Sequence, residues 1–190
     1  MTDHGTQSPF AVTAPDALWR YALAIYADPA TASACLDLQD RADADVCELL
    51  WLGWLDQLGL VTTPNVRQVL APVRAHQAHY TRPLRARRRA LKSLARPGSP
   101  LDDWRQRLKH AELMAERQAL EQLQALTRCA AGVRPWRARD GDLHSRLARH
   151  LGGPLDDALA GSLAILAVGL RALHARTTCS TVATKPVTSR

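Results

Sequence analysis

Six basic side chains near the middle of this sequence form its strongest candidate for a binding surface. They are Arg82, Arg85, Arg87, Arg88, Arg89 and Lys92. Arginine rows neutralise phosphates and acidic side chains, so the pattern indicates an anionic partner, either a protein or a nucleic acid. Proteins that bind single-stranded nucleic acids also interleave aromatic residues for stacking, and only Tyr80 lies near the row.

Pairing within the chain is the alternative explanation for part of this row. Folding the chain back on itself at Gly98 would bring acidic residues opposite several of the arginines. Arg87 and Arg88 have no acid opposite them, so we expect both to be available to a partner. Because pairing explains part of the row, we rank it ahead of nucleic-acid binding. The expected pairs are Arg85 with Glu112, Arg82 with Glu116, and Arg96 with Asp102 and Asp103.

Trp51 and Trp54 form a second candidate site. They are three residues apart, which places them on the same side of a helix. Indole rings in that position either anchor a hydrophobic core or line a pocket for an apolar ligand. We favour the core, because the surrounding segment is apolar, and keep the pocket as an alternative.

Patterns that could hold a metal or perform catalysis are weak. The acidic run before residue 50 could supply oxygen ligands to a divalent cation, but it lacks the glycine and the spacing of an EF-hand loop. His76 and His79 are three apart, with no acid or cysteine close in sequence to complete a site. There is no phosphate-binding glycine loop and no nucleophile elbow. We therefore assign no catalytic residue, metal or cofactor, and the sequence favours a protein that is not an enzyme. The acidic run consists of Asp37, Asp40, Asp43, Asp45 and Glu48.

The charge is distributed unevenly along the 190 residues. The chain has a net charge of +7, yet residues 1–60 contain nine acidic and two basic residues. Residues 61–100 contain nine basic residues and no acidic ones. Such asymmetry indicates either an anionic partner or attraction between two parts of one fold.

The elements that must position these residues are predicted to be helices. Asp45 followed by Glu48 is typical of a capped helix start, and the next residues are apolar on nearly every side. We therefore predict a buried central helix that ends near Gly59. Other helices are predicted to start near Thr13, at Asp28-Pro29, at Thr63-Pro64, at Ser99-Pro100, at Gly141 or Asp142, and at Pro154.

The predicted fold class is all-α, a single-domain helical bundle with a long antiparallel helix hairpin. Pro72 and Pro83 interrupt the first hairpin helix, where we expect kinks. Trp104 is placed on the apolar face of the second, and Ala158–Leu170 should join the core. The predicted divisions are a mobile leader at 1–12, a helical domain at 13–175 and a disordered tail at 176–190.

Four widely spaced cysteines do not form a zinc or disulfide pattern, and Cys35 and Cys47 are predicted to be buried thiols. The first residues do not resemble a signal peptide, and no segment is long enough to span a membrane. We expect a cytoplasmic protein with no membrane partner.

Several segments resemble an uncharacterised family of small proteobacterial proteins that share a conserved domain of unknown function. The segments are LWRYALAIYADPATASACLDLQDRADADVCELLWLGWL, RPLRARRRALK and KHAELMAERQALEQL. The resemblance covers Ala14–Leu126 and implies a bacterial, intracellular, helical protein. It brings no activity, cofactor or site residue with it.

The leading functional hypothesis is a non-catalytic helical adaptor that binds a protein partner. The second is a nucleic-acid- or ribosome-associated protein that uses the basic row. The third is a helical enzyme or apolar-ligand binder with a pocket at Trp51 and Trp54.

Overall fold

Helices make up nearly all of the regular structure in this computed structural model, which describes residues 11–182, with side chains as far as Leu173. This confirms the all-α prediction. The helices are α1 (Ala17–Tyr26), α2 (Pro29–Arg41), α3 (Val46–Gln57), α4 (Val66–Val69), α5 (Ala71–His76), α6 (Arg82–Ala90), α7 (Pro100–Arg128), α8 (Leu143–Leu151) and α9 (Asp157–Val182). Two short strands are β1 (Leu60–Thr62) and β2 (Val133–Pro135), and there is a π-helix at Gln77–Thr81 and a 3-10 helix at Ala138–Asp140.

The chain divides into two units, which are described separately. Unit 1 is formed by the segments up to Thr62 and from Arg134 onward, and unit 2 by Thr63–Val133. In unit 1, α3 contacts α1, α2, α8 and α9. Every residue from Val46 to Leu55 is buried, so α3 is the enclosed central helix that the sequence predicted. The Asp45 carboxylate caps it by accepting a hydrogen bond of 3.3 Å from the backbone N–H of Glu48.

Two polar contacts join α3 to α8. Nε2 of His150 lies 2.6 Å from Oε2 of Glu48, whose side chain is almost fully buried. Near the other end of α3, Arg146 forms an ion pair with Asp56. The residue order shows that the two helices run antiparallel. The pairing with His150 gives the buried Glu48 carboxylate the partner that burial of a charged group requires.

The backbones of α2 and α9 approach closely at Gly169. A Cβ atom built on Gly169 would clash with Oγ1 of Thr31, which is itself buried. On this side α9 is in the core, as predicted. Its opposite side exposes Ile165 and Val168, so Ala158–Leu170 joins the core along one side only. Neighbouring helices cover only part of its circumference.

Unit 2 contains the predicted antiparallel hairpin, in which α6 and α7 pack against each other. The predicted interruptions in its first helix are present. A break at Leu70 precedes Pro72, and the π-helix Gln77–Thr81 ends two residues before Pro83. Because proline has no N–H and clashes with the carbonyl four residues earlier, a wider turn at this point relieves the clash.

The strand pair was not predicted. Backbone hydrogen bonds from Thr63 to Gly132 (2.9 Å) and from Trp136 to Gly59 (2.8 Å) bracket β1 and β2 and show that they are antiparallel. Both strands have only three residues, which is too short for the alternating pattern that identifies a strand in a sequence.

Helix boundaries differ from the prediction at several places, and three of them differ by three residues or more. α1 begins at Ala17, because Asp16 has a left-handed backbone conformation. α9 begins at Asp157 rather than Pro154, with Asp156 accepting a hydrogen bond from the N–H of Leu159. α9 continues to Val182, past the predicted boundary at residue 175. Most of the predicted leader (residues 1–10) and the end of the predicted tail (183–190) lie outside the described residues.

Across residues 11–182, none of the helices combines the length and the apolar content needed to cross a bilayer.

Substitution of Gly169 by alanine tests the close approach of α2 and α9. Thr31 has little freedom to move, because it is buried and its hydroxyl donates a hydrogen bond to Asp28. We expect Gly169→Ala to lower the free energy of unfolding by about 1–3 kcal/mol, measured by urea denaturation.

Gly161→Ala is the matched control on the same helix. A Cβ atom at Gly161 meets open space, so the better helix propensity of alanine should raise the free energy of unfolding by about 0.5–1 kcal/mol. When Thr31 is also replaced by alanine, Gly169→Ala should lower the free energy of unfolding by less than it does in the otherwise unchanged protein. Equal effects of the two glycine substitutions would contradict the close approach.

Candidate functional site

The predicted basic row lies in a part of unit 2 that has no core of its own. We call residues 82–111 the arm; they comprise α6, the turn after it and the first part of α7. None of these residues, all of which the structure describes, is buried. Helices normally derive most of their stability from burying an apolar face, so the arm must be held in another way.

Glu112, just beyond the arm on α7, provides that hold. Its side chain is 7% exposed and accepts hydrogen bonds from two guanidinium groups of α6. Nε of Arg85 donates to Oε1 over 2.8 Å, and Nε of Arg88 donates to Oε2. Nη2 of Arg85 also donates to Glu116 over 2.7 Å. Burial alone would raise the pKa of Glu112, but the hydrogen bonds from Arg88 and Arg85 lower it overall.

The structure thus separates the six predicted residues into two groups. The predicted pairing of Arg85 with Glu112 is confirmed, whereas the expectation that Arg88 stays available is wrong. Glu112 presents two oxygens, so it accepts from both arginines at once. Arg82, Arg87, Arg89 and Lys92 are exposed. Among the described residues, the side chains of Arg87 and Lys92 have no hydrogen-bond or ion-pair partner.

Three large apolar residues are exposed at the far end of the arm, which the sequence analysis missed. Trp104 is 60% and Leu94 is 63% exposed, and Leu101 is also exposed. The guanidinium carbon of Arg107 lies 5.8 Å from the Trp104 ring centroid, within cation–π range. Trp104, which the sequence analysis placed on the apolar face of this helix, is therefore mostly exposed to solvent rather than packed in a core.

Trp51 and Trp54 are both 0% exposed, and their environment is the core around α3. A surface ligand cannot reach these rings. An open cavity does occur in unit 1, but other residues line it, among them Trp136 and Arg171. Burial therefore argues against the ligand-pocket hypothesis at Trp51 and Trp54.

The acidic run and the histidine pair are occupied by structural contacts. Asp45 caps α3, and Asp37 accepts a hydrogen bond from Ser162 on α9. Nε2 of His76 lies 2.9 Å from the carbonyl oxygen of Ala115, and Nδ1 of His79 lies 2.7 Å from that of Ala75. Within the part of the chain that the structure describes, His, Cys, Asp and Glu form no group of three or more that could hold a metal ion.

Cys35 and Cys47 are buried free thiols, as predicted. Burial raises the pKa of the Cys35 thiol to about 12, so this group stays protonated and unreactive at neutral pH.

Replacement of Glu112 by glutamine tests whether this carboxylate holds the arm. Glu112→Gln should lower the free energy of unfolding by about 2 kcal/mol at pH 7, because two charge-assisted hydrogen bonds are weakened. The folded-state pKa of Glu112 is depressed, so its contribution is present at neutral pH and disappears as pH falls through that pKa. Urea denaturation of both proteins should therefore show a difference that shrinks below about pH 4.3.

Glu121→Gln is the matched control. Glu121 is also on α7 and pairs with Arg117, but this pair is exposed, so the loss should stay below about 1 kcal/mol at every pH. A loss for Glu112→Gln that did not change with pH would contradict the ionised clamp.

Comparison with known proteins places the chain in a family without an assigned role. No curated protein and no solved structure matches it. Residues 17–123 match a family described as "Protein of unknown function (DUF2390)". The match covers more than half of the chain, including α1 to α3 and most of the hairpin. This confirms the predicted membership of an uncharacterised conserved family, and the chain belongs to the DUF2390 family of proteins of unknown function.

Proposed function

We propose that this chain is a non-catalytic binding protein that presents the arm to an acidic protein partner. One observation carries the proposal. Residues 82–111 bury no side chain, yet they combine a dense set of cations with three exposed large apolar residues. A helix hairpin that adds nothing to the core, and that exposes both kinds of contact residue, has the composition of an interface.

The charge of the arm indicates the sign of the partner. The arm holds ten of the 25 Lys and Arg residues but only two of the 18 Asp and Glu residues. The rest of the chain holds 15 basic and 16 acidic residues, so the positive charge of the protein is concentrated here. A surface of one sign speeds association with a surface of the opposite sign and selects against other partners.

The apolar residues favour a protein over other anions. Protein interfaces have a central group of aromatic and aliphatic side chains with arginine around it, and tryptophan and arginine are the commonest hot spots. Leu94, Leu101 and Trp104 match that centre, and Arg87, Lys92 and Arg107 match the surrounding cations. Exposed leucines add nothing to the binding of a phosphate backbone.

A single-stranded nucleic acid is the second candidate, and a specific observation favours it. The exposed ring of Trp104, with Arg107 beside it, is a surface on which a base could stack. Such binding would weaken steeply with salt and would not depend on Leu94 or Leu101.

Site-specific photo-crosslinking tests the proposal. A photoreactive phenylalanine analogue at the exposed Ser93, between α6 and α7, should capture one predominant protein from nuclease-treated lysate. The same analogue at Gly153, which is exposed in unit 1 and meets open space, should not capture it. Capture of nucleic acid alone in untreated lysate would support the second candidate, and identical captures at both positions would contradict both.

Affinity measurements with the captured protein identify the residues that bind it. Trp104→Ala should weaken binding by about 30-fold, the value expected for a hot-spot tryptophan. Arg87→Glu combined with Lys92→Glu should mainly slow association, and the loss should diminish at high salt. The control is Arg67→Glu, which replaces an exposed arginine of unit 2 outside the arm. It should leave the dissociation constant and the association rate constant unchanged.

A further inference from the structure

Unit 1 contains an open cavity of about 530 Å³, within the size range of small-molecule sites. Its walls come from the end of α3, the loop that follows β2, the start of α8 and the exposed part of α9. The lining residues are Asp56, Gly59, Trp136, Ala138, Gly141, Asp142, Arg146 and Arg171. We call this cavity the cleft.

The indole ring of Trp136 is the aromatic wall of the cleft. Its backbone N–H donates to the carbonyl oxygen of Gly59 over 2.8 Å, and its Nε1–H donates to that of Gly141 over 3.3 Å. Nevertheless the residue is 47% exposed. The polar edge of the indole is therefore satisfied within the protein, and the exposed part of the ring is an apolar surface suited to stacking.

The loop that carries Trp136 is braced by an ion pair. Arg134 donates two hydrogen bonds to Asp140, of 2.8 and 2.6 Å, in a bidentate arrangement. The same carboxylate accepts from the backbone N–H of Arg137 over 2.7 Å. Hydrogen bonds from Arg134 hold the pKa of Asp140 well below its usual range, so the brace persists in mildly acidic solution. A wall held in place before binding reduces the entropy that a ligand must lose.

The two arginines of the cleft differ in how closely they are paired with carboxylates of the protein. Arg146 is mostly buried and forms an ion pair with Asp56, so it belongs to the wall. The side chain of Arg171 is 57% exposed, and its Nε lies 3.9 Å from Oδ2 of Asp56. No hydrogen bond joins its guanidinium to any of the described residues. The two terminal nitrogens of Arg171 are therefore available to a carboxylate, which they can bind in a bidentate manner.

The acids of the cleft limit the charge of the ligand. Asp142 accepts a hydrogen bond from the N–H of Ser145 over 2.8 Å. That bond, with a contribution from the nearby Arg171, lowers the pKa of Asp142, so the group is ionised at neutral pH. Asp56 and Asp142 together balance Arg146 and Arg171. A ligand with several negative charges would be repelled by these carboxylates, whereas one negative charge can pair with Arg171.

We propose that the cleft binds a planar aromatic monocarboxylate, with its ring stacked on Trp136 and its carboxylate on Arg171. The cleft and the arm share no residue, and neither proposal depends on the other. Calorimetric titration of the whole protein with 2-naphthoate tests it. For a ligand of this size we expect a Kd on the order of 1 mM.

Two further probes separate the contributions of the ring and the charge. 2-Naphthamide keeps the ring and removes the charge, and cyclohexanecarboxylate keeps the charge and removes the planar ring. Each should bind about tenfold more weakly than 2-naphthoate. Equal binding of 2-naphthoate and 2-naphthamide would overturn the role of Arg171.

Variants locate the binding. Trp136→Leu and Arg171→Met should each weaken binding of 2-naphthoate by about tenfold, whereas Trp136→Phe, which keeps a planar ring, should retain most of it. Tyr80→Leu and Arg149→Met remove an exposed aromatic residue and an exposed arginine elsewhere and should have no effect. No binding at roughly ten times the expected Kd, or equal losses in the Trp136 and Tyr80 variants, would overturn the proposal.

Discussion

Enclosure of α3 is the constraint on which the rest of unit 1 depends. A helix with buried residues on every side needs neighbours on every side, and α1, α2, α8 and α9 supply them. Each fully buried leucine or tryptophan contributes about 1.5–3 kcal/mol, so a short helix can direct the packing of four others. The packing is tight at Gly53, where an added Cβ atom would lie 2.7 Å from Leu170 of α9.

The arm is held in place by a different interaction. None of its residues is fully buried, and the contacts that connect α6 to α7 include hydrogen bonds from two arginines to the buried carboxylate of Glu112 and the partly exposed carboxylate of Glu116. Ion pairs fix orientation better than they provide stability, because desolvation offsets much of their attraction. A segment of this kind is held in one geometry while much of its outer surface remains exposed. That combination suits a binding element better than a structural one.

The sequence predicted features that depend on neighbours within a few residues. The capping roles of Asp28, Asp45, Ser99 and Asp142 are all present, since an N-cap needs only its own helix. The hairpin and its proline interruptions follow from equally local signals. Exposure was harder to predict, because whether Trp104 or Val168 is covered depends on helices distant in sequence. The same limit explains why Trp136 was missed: a tryptophan in a basic loop gives no sign that its ring will line a cavity.

Whether an arginine can bind a ligand depends on the number of carboxylates around it in the fold. Its place in a run of charged residues does not decide this. In the arm, Glu112 accepts from both Arg85 and Arg88, which leaves Arg87 on another side of the same helix without an acid to meet. In the cleft, Asp56 holds Arg146 closely and reaches Arg171 only at 3.9 Å. In both places two guanidinium groups share one carboxylate, but only in the cleft does the second stay at a distance. A count of charges along the chain cannot distinguish these cases, because the outcome depends on which helix faces bring the groups together. Arg171 stands alone in the sequence and Arg88 lies within a run of basic residues, yet it is Arg171 whose terminal donors remain available to a ligand.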